Sequence, residues 1–580
     1  MGARVGVAQE TSRDPAVCKP ELTVKPAAAR GLILLAAGLC AVITLPVAWI
    51  ARQWISTDGF AYLEVANNAA ELSAWYLVSN GCWSPAYPAL IAAIIKLANP
   101  LPSSQLAVIH ALDWAICSSA YGCFGYLLYT LLRWVQYTHA EVFESRLKLR
   151  SIVTFAYALL LFSNIQQLSV WSVHGSDLLV EALVYLAAGL CLELSLPSSR
   201  RMHYATLGLT LALAYATKAA LFPLSIILLI ILFMWPVADR GGRKGVLIAA
   251  GSFLIASFPL VAALSYSKGR ITFGESGRLN YAWYVNDVPY STLWEDELPH
   301  SPVKIAGNPV VLKLNGPARS TWPIWYDPTY WYDGIRAHFD LRQQIGAYLV
   351  FLGIRPGKEY NAANIKELSQ RWIPLLAGVA TFVLMGVRFN KSTHRSIVRH
   401  IWLFLWPASA FFMFASVHLE QRYLIPFIVL GWVGLFVACC ILMKSEKSTP
   451  IILVVTVSLL MTDGWTLLSL RHIPSGVPPV DISGSLERLG IRRGDELATV
   501  GAPGIPPAYF PAWLVGARYT YIIVGDPDKL VKLPEGVVRT VIAALRSSGA
   551  KAIVSAARPA FEADSGWVEI SRGLFLRPLK

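Results

Sequence analysis

The sequence predicts a polytopic α-helical membrane protein with two long polar stretches on one face. Three observations predict it. Of the 580 residues 55% are hydrophobic and only 15% charged. The apolar residues come in blocks such as "GLILLAAGLCAVITLPVAWIA" and "YLIPFIVLGWVGLFVACCILM". About 20 residues at 1.5 Å rise cross a hydrocarbon core of roughly 30 Å. The basic residues, finally, fall in alternate connections between the blocks, as cytoplasmic loops require.

Taken in order, residues 1–30 form a basic tail (Arg4, Arg13, Lys19, Lys25, Arg30), and 31–51 the first span. That span is too long for a signal-peptide core and lacks a small-residue cleavage site, so it reads as retained. Further spans are expected at 106–132, 151–170, 177–195, 203–217, 219–236, 246–266, 373–387, 400–417, 423–443 and 450–469, about eleven in all. The segment 84–98 is apolar but opens on two prolines, and its roughly 22 Å is too short to cross, so it reads as re-entrant or interfacial. With the N-terminus inside, the inner loops then hold Arg133, Arg146, Lys148, Arg150, Arg200, Arg201, Arg240, Arg243 and Lys244. The short outer loops hold almost no basic residue besides Lys96, Lys218 and Arg422. Making 84–98 a span would invert every later loop and break this pattern.

This thread divides the chain into an N-terminal membrane module, 31–266, whose first outer loop is 53–105. A large outer loop, 267–372, comes next, then the last membrane helices, 373–469, and an outer tail, 470–580. The tail reads as a small α/β domain: "ELATVG", "YTYIIVG" and "KAIVSA" are strands, and "VVRTVIAALRSSG" is an amphipathic helix stopped by Gly549. "GAPG" lacks the spacing of a dinucleotide loop. The net charge of +14 reflects the inner loops rather than a nucleic-acid partner. Six of the eight cysteines lie in apolar spans and no disulfide framework is visible.

Four outer turns carry ionisable groups at the hydrocarbon edge, where charge is costly and usually functional. "STDGFAYLEVA" places Asp58 at the head of an amphipathic helix. "WSVHGSD" places His174 and Asp177, "YATKAALFP" places Lys218, and "HLEQRY" places His418, Glu420, Arg422 and Tyr423. Each has a structural alternative. Asp58 and Asp177 could be helix caps, Lys218 a snorkelling side chain, Glu420 and Arg422 an ion pair, and His174 a hydrogen-bonded loop residue. Together on one leaflet they read as a site.

In order and sidedness these motifs resemble those of the GT-C glycosyltransferases, nearest to the protein mannosyltransferase and aminoarabinose transferase branch (glycosyltransferase family 39-like). "WSPAYPALIAAI" and "HGSDLLVEAL" are similar to the family's Pro-containing segment and second acidic loop. "ATKAALFPL" is similar to its Lys-bearing hairpin, and "HLEQRYLIPF" to its late His/Glu-Arg-Tyr motif. The resemblance covers roughly residues 31–470. This chain departs in having Asp58-Gly59 where the family has Asp-Glu, and in its separated prolines without a neighbouring basic residue.

The resemblance implies an enzyme taking a sugar from a polyprenyl-phosphate donor to a lipid, glycan or protein acceptor outside a bacterial cell membrane, by inverting displacement. Asp58 would be general base, and Lys218 and Arg422 would hold the donor phosphate. His174, Asp177, His418, Glu420 and Tyr423 would position donor and sugar. No cofactor is expected; His174, Asp177 and Asp58 could collect a divalent ion, but the nearer branch works without one. A lipid-linked sugar transporter or flippase, or a non-catalytic envelope-glycan assembly protein, is the competing class. A carrier, however, needs a midplane site.

Overall fold

The fold was obtained as a computed structural model, which describes residues 26–52, 55–138, 146–167, 175–235, 242–289, 298–316, 320–351, 354, 401–442, scattered positions in 456–468, 479–501, 509–525, 534–556, 566–571 and 573–579. Its membrane part starts with α1 (Pro26–Ala51), α2 (Thr57–Glu71), α3 (Trp75–Ser79) and α4 (Ala86–Ala98). It continues with α5 (Pro102–Thr138), α6 (Arg146–Gln167), α7 (Gly175–Glu193), α8 (Arg201–Thr217), α9 (Leu221–Met234) and α10 (Gly242–Lys268). Among the described residues four helical stretches are long and apolar enough to cross a bilayer: 27–51, 103–137, 175–193 and 242–268. Shorter apolar helices occupy 86–98, 149–165, 221–234 and 402–415. Expected span 373–387 lies outside the described residues, and so does most of 450–469.

Burial separates the helices by role. α1 and α10 expose large apolar side chains (Leu34, Val42, Ile255, Phe258). Such faces are stable against lipid, which is as apolar as they are. By contrast α7 is buried almost all round and packs against α5 and α8. The short α4 buries Tyr87, Pro88, Ile91 and Ala92 against α2, α5, α7 and α8.

Beyond α10 lie α11 (Ser276–Tyr284), β1 (Val303–Gly307), β2 (Val310–Lys313), α12 (Pro323–Tyr326), α13 (Pro328–Trp331) and α14 (Leu341–Phe351). Two more apolar helices, α15 (Trp402–Ala415) and α16 (Gln421–Leu442), precede the tail. The tail contains α17 (Pro479–Arg488), β3 (Glu496–Gly501), α18 (Tyr509–Leu514), β4 (Arg518–Val524), α19 (Glu535–Ser547), β5 (Ala550–Ser555), β6 (Val568–Ser571) and β7 (Leu574–Pro578). The seven strands form one sheet in the order β1-β2-β4-β3-β5-β7-β6. β3 runs parallel to β4 and β5, and β2 pairs antiparallel with β4. The outer loop and the tail thus share a sheet. Since a hydrogen-bonded sheet cannot be divided by a bilayer, the two stretches lie on the same side.

Candidate active site

The site forms where α2, α7, the α8–α9 hairpin and the start of α16 meet. Helix α2 begins after Ser56, whose hydroxyl accepts from the Gly59 N–H at 3.0 Å. Ser56 therefore does the capping that Asp58 could have done. The Asp58 carboxylate turns instead to Arg422, whose Nη2 donates to Oδ2 at 2.8 Å.

Arg422 is the hub. Its Nε donates to Glu420 and stands 3.7 Å from Asp177 Oδ2. Its Nη2 also reaches the Tyr423 hydroxyl at 3.3 Å. A guanidinium presents five N–H groups in a fixed plane, so one side chain can satisfy several carboxylates at once. The sequence enforces this: Glu420 and Arg422 sit either side of the start of α16, so the turn folds one against the other.

Asp177 lies in the first turn of α7, where the helix dipole favours an anion. Its other oxygen accepts from Lys218 Nζ. Lys218 ends α8 in an extended conformation, and its ammonium lies 3.5 Å from the Tyr423 ring centre, a cation–π contact. Burial lowers the Lys218 ammonium below its ordinary range, with Arg422 adding to the effect and Asp177 opposing it. The hairpin is held by Ser84, whose hydroxyl accepts from the Ala219 N–H at 3.1 Å.

His418 Nε2 lies 3.1 Å from Glu420 Oε1, and its ring stacks on Tyr284 of α11 at 3.9 Å between centroids. Burial alone would push the Glu420 carboxyl up; Arg422 and His418 together hold it well below the usual carboxylate range. The Tyr423 hydroxyl donates to Glu420 at 3.2 Å.

Seven of the eight residues singled out in the sequence are thus brought together: Asp58, Asp177, Lys218, His418, Glu420, Arg422 and Tyr423. His174, just before α7, lies outside the described residues. Three partners were not foreseen. Tyr62, hydrogen-bonded with Ser176 beside Asp177, follows Asp58 by four residues, a spacing that puts both on one face of α2. Tyr284 comes from the large outer loop and had no local signal. Asp113, buried on α5, accepts from the Tyr87 hydroxyl at 2.7 Å below the site. Among the described residues no three His, Cys, Asp or Glu side chains are grouped to hold a metal ion.

No family model matches the chain, and no curated protein does. Among solved structures it is similar to ArnT from Cupriavidus metallidurans in the apo state, with 12% identity over 95% of this chain and 98% of that one and a TM-score of 0.42. The same ArnT bound to undecaprenyl phosphate gives the same values. The oligosaccharyltransferase of Archaeoglobus fulgidus, in complex with zinc and sulfate, is 11% identical over 90% of this chain and 67% of that one, with a TM-score of 0.49. Each is a GT-C glycosyltransferase.

Proposed function

We propose that the protein is a glycosyltransferase that moves a sugar from a polyprenyl-phosphate donor to an acceptor hydroxyl at the outer face of the membrane. The observation that carries this reading is the junction at Arg422, where two cations and three carboxylates from four chain segments meet at helix ends. A lipid phosphate resting at the interface would meet Arg422 and Lys218 without leaving its depth. Charge-assisted hydrogen bonds to its oxygens would also stabilise the charge left when the sugar departs.

Asp58 is the residue we assign as general base. As the acceptor oxygen bonds to the anomeric carbon, the bond to phosphate breaks and its electron pair stays on the phosphate. Asp58 takes the acceptor proton. In the present arrangement Arg422 occupies the Asp58 carboxylate. A donor phosphate competing for the guanidinium would release it, so the base becomes free only when donor is present. His418, Glu420, Asp177 and Tyr423, with His174, would position donor and sugar. The shared basic bias of the alternate loops supports placing this face outside, with the N-terminus in the cytoplasm.

The test is transfer of label from a polyprenyl-phosphate sugar by purified protein. Asp58→Asn keeps the shape and the neutral acceptor but cannot hold a proton. It is expected to abolish transfer in a protein that still extracts and folds, with its unfolding temperature lowered by the loss of the Asp58–Arg422 pair. Substantial transfer by that variant would remove Asp58 from the role.

A further inference from the structure

Helix α2 has two working faces. Asp58 and Tyr62 face the membrane helices. At 100° per residue, Phe60 lies about 200° round from Asp58, and with Glu64 it faces the outer domain. The Phe60 ring is 2% exposed and is met edge-on by three rings of the tail. Its centroid is 4.4 Å from Tyr509, 5.9 Å from Phe510 and 6.1 Å from Trp513. One turn on, the buried Glu64 carboxylate accepts from the Thr321 N–H at 2.5 Å. Between Glu64 and Tyr509 remains a cavity of about 10 Å³, room for about one water. The loop after α3 is pinned to the same body: Asn80 Nδ2 donates to the Tyr326 carbonyl at 2.8 Å, and Trp83 Nε1 to that of Trp325 at 3.0 Å.

We propose that Phe60 and Glu64 are positioning residues: they key α2 into the outer sheet domain, and that docking sets where Asp58 stands against Arg422. The outer domain is then a working part of the active site, acting through one helix. An isolated helix of fifteen residues is marginal in water, so α2 takes its place from what it packs against. Edge-to-face pairs contribute beyond their buried area, and three rings on one phenyl group fix both its depth and its rotation. This inference rests on the reading of Asp58 as the base.

The experiment uses full-length protein in detergent with three readouts: hydrogen exchange of the α2 amides, affinity for undecaprenyl phosphate as probe, and transfer kinetics. In Phe60→Ala, and in Tyr509→Ala from the opposite side, exchange across 57–71 should rise about tenfold or more, with α5 and α7 unchanged. Affinity for the lipid phosphate should stay within about threefold of wild type while kcat falls about tenfold, since Lys218 and Arg422 are on other elements. Glu64→Gln, whose amide oxygen still accepts from Thr321, should keep activity that Glu64→Ala loses. Should Phe60→Ala not fold, Phe60→Leu and Tyr509→Ala carry the comparison. Unchanged α2 exchange overturns the proposal, and so does faster exchange with undiminished kcat. A wild-type protein that neither binds the lipid nor transfers sugar would remove the role assigned to Asp58. Exchange would still decide whether α2 is keyed to the outer domain.

Discussion

Replacing Arg422 tests the site at its hub. The side chain is only 14% exposed and answers Asp58, Glu420 and Asp177 together. Arg422→Ala leaves three carboxylates to Lys218 and, when protonated, His418. Breaking a buried pair from one side costs about 3–5 kcal/mol because the partner is left charged and unpaired. The loss should depend on pH with a definite sign. Glu420 is held below its ordinary range, so it contributes stability above about pH 4.5, and that contribution fades as the pH falls further. The variant lacks this term, so its deficit should be full at pH 7 and shrink on acidification. Thermal unfolding in detergent at pH 7 and pH 4 reads this directly. The same substitution should raise the donor KM about ten- to a hundredfold, the equivalent of one charge-assisted contact of about 1.5–3 kcal/mol, with the acceptor KM little changed. Arg422→Lys should recover part of both losses, because an ammonium lacks the planar fork. An alanine variant as stable as wild type at pH 7, with unaltered donor KM, would refute the reasoning.

Three further outcomes follow from local geometry. A Cβ at Gly175 would sit 2.0 Å from Asp113 Oδ1 and 2.3 Å from the Tyr87 ring. Gly175→Ala should therefore displace the start of α7, cost about 1–3 kcal/mol of stability and lower kcat through Asp177; wild-type unfolding would contradict this. Burial raises the Glu64 carboxyl from 4.5 to about 7, against the opposing hydrogen bonds from Thr321. Its contribution is complete below about pH 4.5 and about 3 kcal/mol is lost by the time pH has risen through 7; Glu64→Gln should flatten that slope in unfolding measured from pH 4 to pH 8. Finally, cysteine at position 199 should resist an impermeant thiol reagent in intact cells and cysteine at 547 should react. The reverse labelling would invert the thread.

What was legible in the sequence is what depends on short spacing and on charge. The shortness of the apolar segment 84–98 was visible, and α4 is a helix of 13 residues packed on one side against α2, α5, α7 and α8. The polar turns were visible because ionisable groups at the edge of an apolar block are rare enough to stand out. Long-range pairing was not visible. β1 and β2 are five and four residues long, too short for an alternation to register, and nothing local tells that β2 will lie against β4 some two hundred residues later. The stack of Tyr284 on His418 is hidden for the same reason. Asp58 was ambiguous because Ser, Thr and Asp stand together in "STD" and each can cap a helix; only the fold shows that Ser56 does so.

The arrangement also accounts for how a largely buried junction can carry so much charge. Lys218 and Arg422 are already engaged by Asp58, Asp177 and Glu420 before any phosphate arrives. An incoming phosphate cannot simply be added. It must draw the guanidinium away from a carboxylate, and Asp58 is the partner on a separate element, whereas Glu420 is two residues from Arg422 and moves with it. On the proposed function the exchange would fall on the Arg422–Asp58 contact, which links α2 to α16. If α2 were loosely held, Asp58 would follow Arg422 and stay neutralised. On the proposed function, held from its other face by Phe60 and Glu64, it would stay behind as a free carboxylate for the acceptor. On the proposed function the keyed helix and the shared arginine are two halves of one device, in which donor binding would expose the base.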